Sequence, residues 1–134
     1  MPQNPLNIAM LEDDSDDRYL TEESVATTGF HIEIIFFSNS EHLFHSLLTQ
    51  KPHLILIDFN STPDNGIQVI KKLKADIHLR HIPVVIISDS NLPKYKKECY
   101  AAGASVFATK PRNMLQTRQK IETFFKFWIE VAEL

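Results

Sequence analysis

The sequence predicts an α/β domain: a flavodoxin-like, doubly wound, five-stranded parallel sheet in the order 2-1-3-4-5, with five helices. Three observations carry that expectation. Short apolar runs recur along the chain, and each is followed by a segment with helix start and stop signals. One run, Leu54-Ile55-Leu56-Ile57, has no polar interruption, as a strand buried on both faces requires. Strand and helix alternate five times, which calls for right-handed crossovers and helices on both sheet faces.

Each element follows in order. Leu6–Leu11 reads as the first strand and runs into Glu12-Asp13-Asp14-Ser15-Asp16-Asp17. Arg18 to Thr28 reads as a helix closed by Gly29, a residue suited to the left-handed position after a helix. His31–Phe37 alternates enough polar residues to predict an edge strand. Ser38-Asn39-Ser40 offers a cap for a helix through about Gln50, stopped by Lys51-Pro52. The buried strand then ends at Asp58. A polar loop over 59–65 precedes a helix from Gly66 to Ala75. Ile82–Ile87 is the fourth strand, ending at Ser88. A helix over Pro93–Ala102 closes at Gly103. Ser105–Thr109 is a short fifth strand, followed by Lys110-Pro111, and Asn113 caps a last helix running nearly to Leu134.

The totals narrow the function. A chain of 134 residues, 43% apolar, suits one globular domain, residues 1–134, with no attached output domain expected. A net charge of -3 without a basic block argues against a nucleic-acid binder. Cys99 is the single cysteine, so no internal disulfide forms and a reducing cytoplasm is expected. No apolar stretch approaches the ~20 residues that span a bilayer, so no membrane partner is expected. His78 and His81 do not make a metal site by spacing alone, and Cys99 is read as a small helix residue without a redox task.

In a parallel sheet all strands end on one edge, and ligands collect there. Glu12, Asp13, Asp58, Ser88 and Lys110 would meet on that edge. Three carboxylates at close range repel one another, and a hard divalent cation relieves the repulsion. Asp13, Asp58 and a backbone carbonyl near Asn60 would ligate Mg2+, with Glu12 acting through a coordinated water. One oxygen of Asp58 then stays free as a nucleophile, and carboxylates do form aspartyl-phosphates. Lys110 and Ser88 would supply positive charge and a donor to the phosphoryl oxygens. Asp14, Asp16 and Asp17 read as helix-start acids favoured by the macrodipole rather than as ligands.

With these residues in that order, the chain resembles the receiver domains of two-component response regulators. It is similar in particular to the single-domain chemotaxis-type and phytochrome-associated regulators. The marks are Glu12-Asp13 after the first strand, Asp58 after the third, Gly66 eight residues later, Ser88 after the fourth, and Lys110-Pro111 after the fifth. The resemblance implies that Asp58 accepts a phosphoryl group from a sensor histidine kinase in a Mg2+-dependent reaction. It implies Glu12 and Asp13 as metal residues, Ser88 and Lys110 on the phosphoryl oxygens, and a cis Lys110-Pro111 bond. Ser88 and Phe107 would form the switch, and Phe107, lacking a hydroxyl, would work by packing. Such a phosphoacceptor assists its own phosphoryl transfer and dephosphorylation rather than acting as an enzyme on a separate substrate, and a downstream protein reads its surface.

The pattern departs from the family at two places. Thr62-Pro63 replaces a proline four residues after the acceptor, and Asp89 replaces a small residue after the hydroxyl. These departures keep a second reading open, a phosphorylation-independent interaction module with the same fold. A Mg2+-dependent phosphohydrolase is disfavoured, because Asn60 holds the place where such enzymes carry a second acid. The last helix carries two apolar stripes. Ile121, Phe124, Phe125, Trp128 and Ala132 form a core-facing one; Phe124, Phe127, Val131 and Leu134 form another. The second stripe predicts either a wider core contact or an exposed patch, and a homodimer through this helix is expected.

Overall fold

The computed structural model describes residues 4–111 and 113–134. Five strands, β1 (Leu6–Leu11), β2 (Ile32–Phe37), β3 (Leu54–Asp58), β4 (Val84–Ser88) and β5 (Val106–Thr109), pair in the order β2-β1-β3-β4-β5. Every pairing is parallel. The helices are α1 (Ser15–Ala26), α2 (Ser40–Leu47), α3 (Gly66–Ala75), α4 (Pro93–Ala102) and α5 (Met114–Lys126). The flavodoxin-like arrangement expected from the alternation is the one observed.

The unbroken apolar runs serve two cores. On β3, Ile55 and Ile57 face one side with Leu43, Leu47, Val69, Ile70, Leu73 and Cys99 of α2, α3 and α4. Leu54 and Leu56 face the other side with Met10, Val85, Phe125 and Trp128. Side chains alternate across a strand, so a strand covered on both faces has no position left for a polar residue. That geometry drives Asp58 to the strand end, the first place on β3 where solvent reaches a side chain. β2 lies at the edge, and its Glu33 and Ile35 are exposed.

Several element ends differ from the sequence expectation. α1 begins at Ser15 rather than Arg18, because the Asp14 carboxylate caps it, accepting from the N–H groups of Asp16 and Asp17 at 2.8 and 3.0 Å. That earlier start places Asp16 and Asp17 in the first turn. β4 begins at Val84, after Pro83, which has no N–H to donate to the ladder. α2 ends at Leu47, and the chain leaves it through turn bonds from Leu48, Thr49 and Gln50 back to His45 and Ser46. α5 passes into a π-helical segment, Phe127–Val131, closed by Ala132 N–H on the Phe127 carbonyl at 2.8 Å. Among the described residues the cis peptide bond is Thr62–Pro63, so the cis Lys110–Pro111 bond implied by the resemblance is not present.

The two stripes of the last helix have different surroundings, and the second is the exposed patch rather than a wider core contact. Phe125 and Trp128 are buried in the second core, with Ile121, Phe124 and Ala132 packed against it. Phe127, Val131 and Leu134 are exposed, at 47%, 67% and 50%. No helix among the described residues is long and apolar enough to cross a membrane.

Candidate functional site

The site forms where four strand ends and one helix start converge. β1 pairs with both β2 and β3, so Leu11 sits opposite Phe37 and Ile57, and Glu12 emerges level with Asp58. Glu12 is held at its backbone from two sides. Its N–H donates to the Phe37 carbonyl at 3.0 Å, and its own carbonyl accepts from Arg18 Nε. Arg18 reaches on to Ser38 Oγ at 3.0 Å, tying α1 to the end of β2. On the other side of β3, Ser88 and Lys110 end neighbouring strands, and Lys110 N–H donates to the Ser88 carbonyl at 2.8 Å.

Asp58 uses both carboxylate oxygens. Oδ1 accepts the Asn60 N–H at 2.9 Å, and Oδ2 faces Lys110 Nζ at 3.3 Å. The same ammonium donates to Glu12 Oε1 at 3.0 Å and to Asp17 Oδ2 at 2.7 Å. Carboxylate oxygens of Glu12, Asp13 and Asp58 lie within 4.8 Å of one another, close enough for one cation to be shared. Glu12 is buried, Asp58 half-buried and Asp13 exposed. A hard divalent ion takes oxygen donors and keeps several waters, so a site open on the Asp13 side suits it.

The electrostatics fit that use. Burial, then the hydrogen bond and charge of Asp58, push the Glu12 carboxyl up to about 8, against the pull of Lys110. Crowded carboxylates of this kind are what a bound cation stabilises. Burial opposes the charge on Lys110, yet its hydrogen bonds to Asp17 and Glu12 and the charges of Glu12 and Asp58 raise its pKa overall. The ammonium therefore stays charged at neutral pH.

The loop after Asp58 is shaped by Gly66. A Cβ there would stand 3.1 Å from Phe59 Cα and 3.2 Å from Ile86 Cδ1, so glycine lets α3 start this close to the loop after Asp58 without crowding it. Gly66 N–H closes the loop on the Phe59 carbonyl at 2.9 Å. The Thr62-Pro63 segment is fastened to α2, with Ser40 N–H on the Thr62 carbonyl at 2.9 Å and Asp64 N–H on Ser40 Oγ at 3.1 Å.

Of the residues expected from sequence, Glu12, Asp13, Asp58 and Lys110 are brought into one cluster. Ser88 is buried at the end of β4, and its Oγ accepts the Ser90 N–H at 3.1 Å. Asn60 is exposed, and the contact it makes with the site is its N–H on Asp58. Phe107 is half-buried on β5 beside the first core, and its N–H donates to the Tyr100 hydroxyl of α4 at 3.0 Å. Two residues with a place in the site were not legible as such: Asp17, read as a helix-start acid, and Arg18. Spacing along the chain carries no signal for Asp17, because its partner is 93 residues away.

The family model of the response regulator receiver domain matches residues 8–122. The chain belongs to this family. Response regulator Rcp1 of Synechocystis sp. is 26% identical over 97% of this chain and 93% of its own. Two-component response regulator ARR17 of Arabidopsis thaliana is 27% identical over 81% of this chain and 78% of its own. Among solved structures, that of the phosphorylated cyanobacterial phytochrome response regulator RcpA has a TM-score of 0.90 at 26% identity, covering 98% of this chain and 99% of its own. The Mn2+-bound form of Rcp1 gives a TM-score of 0.87 at 26% identity, covering 97% and 99%. The receiver described here thus shares its fold, over nearly the whole chain, with a cyanobacterial phytochrome response regulator.

Proposed function

We propose that this receiver accepts a phosphoryl group on Asp58 from a histidine kinase and then changes a surface that another protein reads. The observation that carries this is the convergence of Asp58, Glu12, Asp13 and Lys110 at one sheet edge. The Mn2+-bound Rcp1 and phosphorylated RcpA structures support it by likeness. Glu12, Asp13, Asp58 and the backbone near Asn60 would hold Mg2+. A bound cation there supplies positive charge that offsets the carboxylates and the phosphoryl oxygens. An oxygen of Asp58 forms the new P–O bond while the P–N bond of the kinase's phosphohistidine breaks. The imidazole keeps that electron pair and takes up a proton. Lys110 holds a charged donor beside Asp58, and Ser88 offers its hydroxyl once it turns from the Ser90 N–H.

The readout lies on α4 and β5. Phe59, next to Asp58, packs on Tyr95 of α4 with ring centroids 4.9 Å apart, and Tyr100 of α4 accepts the Phe107 N–H. Movement of Ser88 and Phe107 on phosphorylation would shift these contacts between two populations. The exposed stripe of Phe127, Val131 and Leu134 favours a C2 homodimer through the last helix.

Intact mass after incubation with Mg2+ and a small phosphodonor tests the reading. The parent is expected to gain about 80 Da, the mass of one added phosphoryl group, and Asp58→Asn none. No adduct on the parent, with no Mg2+ binding, would point to the phosphorylation-independent interaction module, the reading that exposed Asp89 favours.

A further inference from the structure

The Lys110 ammonium has three N–H donors, and three carboxylates face them. The shortest contact is not to the acceptor. Asp17 lies at 2.7 Å, Glu12 at 3.0 Å and Asp58 at 3.3 Å. Charge-assisted N–H···O bonds are strongest near the first distance and weak at the last. The cation therefore leans towards α1 and away from the group that is to carry the phosphoryl.

Asp17 is well placed to keep it there. Its backbone is fixed on both sides, with its N–H on the Asp14 carboxylate at 3.0 Å and its carbonyl accepting Thr21 Oγ at 2.8 Å. Behind the pair lies a cavity of 110 Å³ lined by Asp17, Lys110, Leu20, Thr117 and Ile121 among others. Asp16, on the same turn, is exposed and makes no contact with Lys110.

We propose that Asp17 is a positioning residue that competes with the phosphoryl group for Lys110 and so sets how readily an anionic phosphodonor engages Asp58. The inference rests on the phosphoacceptor reading above. Each phosphoryl oxygen that recruits the ammonium must draw it from a carboxylate. Asp17 is the one of the three that belongs neither to the metal residues nor to the acceptor.

The test compares Asp17→Asn, Asp17→Glu and Asp16→Asn for phosphorylation by acetyl phosphate in Mg2+, read by intact mass across donor concentrations. Asp17→Asn is expected to lower the half-saturating donor concentration about threefold to fivefold, the scale of a part-exposed ion pair. Asp17→Glu restores the parent value, and Asp16→Asn leaves it unchanged. Asp17→Ser, which keeps a residue suited to a helix start, repeats the Asn result. A second readout needs no phosphorylation: the 1H–15N signal of the Lys110 ammonium shifts in Asp17→Asn but not in Asp16→Asn. A phosphorylated parent whose half-saturation is untouched by Asp17→Asn overturns this role alone, as does an equal shift from Asp16→Asn. A parent that takes no phosphoryl group overturns the underlying reading, and this role with it.

Discussion

The carboxyl edge of the sheet and the outer face of the last helix are both places where the chain gathers one kind of residue, and they resolve it differently. At the edge, groups from the ends of β1, β3 and β5 and the start of α1 meet on one ammonium. On the last helix, Phe127, Val131 and Leu134 come from one stretch and stay exposed. Buried charges need partners at low dielectric, so a polar cluster is completed within the chain that forms it. An apolar stripe is completed only when a second surface excludes water from it. The first region is therefore where chemistry is expected, and the second is where contact is expected.

The largest expected effect sharpens the division within that last helix. Trp128→Ala should cost about 3–5 kcal/mol in urea unfolding, the range for a buried aromatic. Its Nε1 has no hydrogen-bond partner among the described residues, so the loss is one of packing. At the sheet edge, Lys110→Ala should slow adduct formation on Asp58 about 100-fold, as loss of one charged donor does at other phosphoryl or oxyanion sites. Stopped-time mass measurements would read it.

Gly66→Ala should destabilise by about 1–3 kcal/mol, the cost of overpacking, because the new methyl meets Phe59 and Ile86. It should also weaken divalent-cation binding, measured by titration calorimetry, since the displaced loop carries Asn60. A pH-dependent effect follows from Glu12. Burial and the neighbouring Asp58 push its carboxyl up to about 8 in the folded chain, from 4.5 for the free group. The folded state then binds more protons between those values, so metal-free stability should fall as pH rises across that window. Denaturation midpoints in EDTA at pH 5 and pH 8 would show it.

The smallest change in stability is expected on the exposed face. Val131→Ser, at a position 67% exposed, should shift unfolding by no more than about 0.5 kcal/mol. In sedimentation equilibrium the same substitution should reduce the proposed homodimer to monomer. A variant that unfolds the chain instead would mean the stripe is a wider core contact.

Most of the fold and the strand-end residues are legible in the sequence. A run such as Leu54–Ile57 has one stable environment, a strand covered on both faces. Parallel strands then bring Glu12, Asp13, Asp58, Ser88 and Lys110 to one edge without further information. Element ends were less legible, because caps compete locally. Asp14 could have been one more helix acid, and only its two accepted N–H bonds make it the cap of α1.

What the sequence alone determined is what local pattern and topology impose: the strand order, the acidic edge, the glycine beside the loop after Asp58 and the two stripes of the last helix. Tertiary structure decided which of several equivalent groups became partners. Asp16 and Asp17 are the same residue type on the same turn, and only the packing of α1 beside the end of β5 gives Asp17 the lysine. It also decided that Phe127 faces water while Trp128, its neighbour, is buried. The reason is physical. Periodicity fixes which residues share a face, but which face is covered depends on a surface that distant parts of the chain must build.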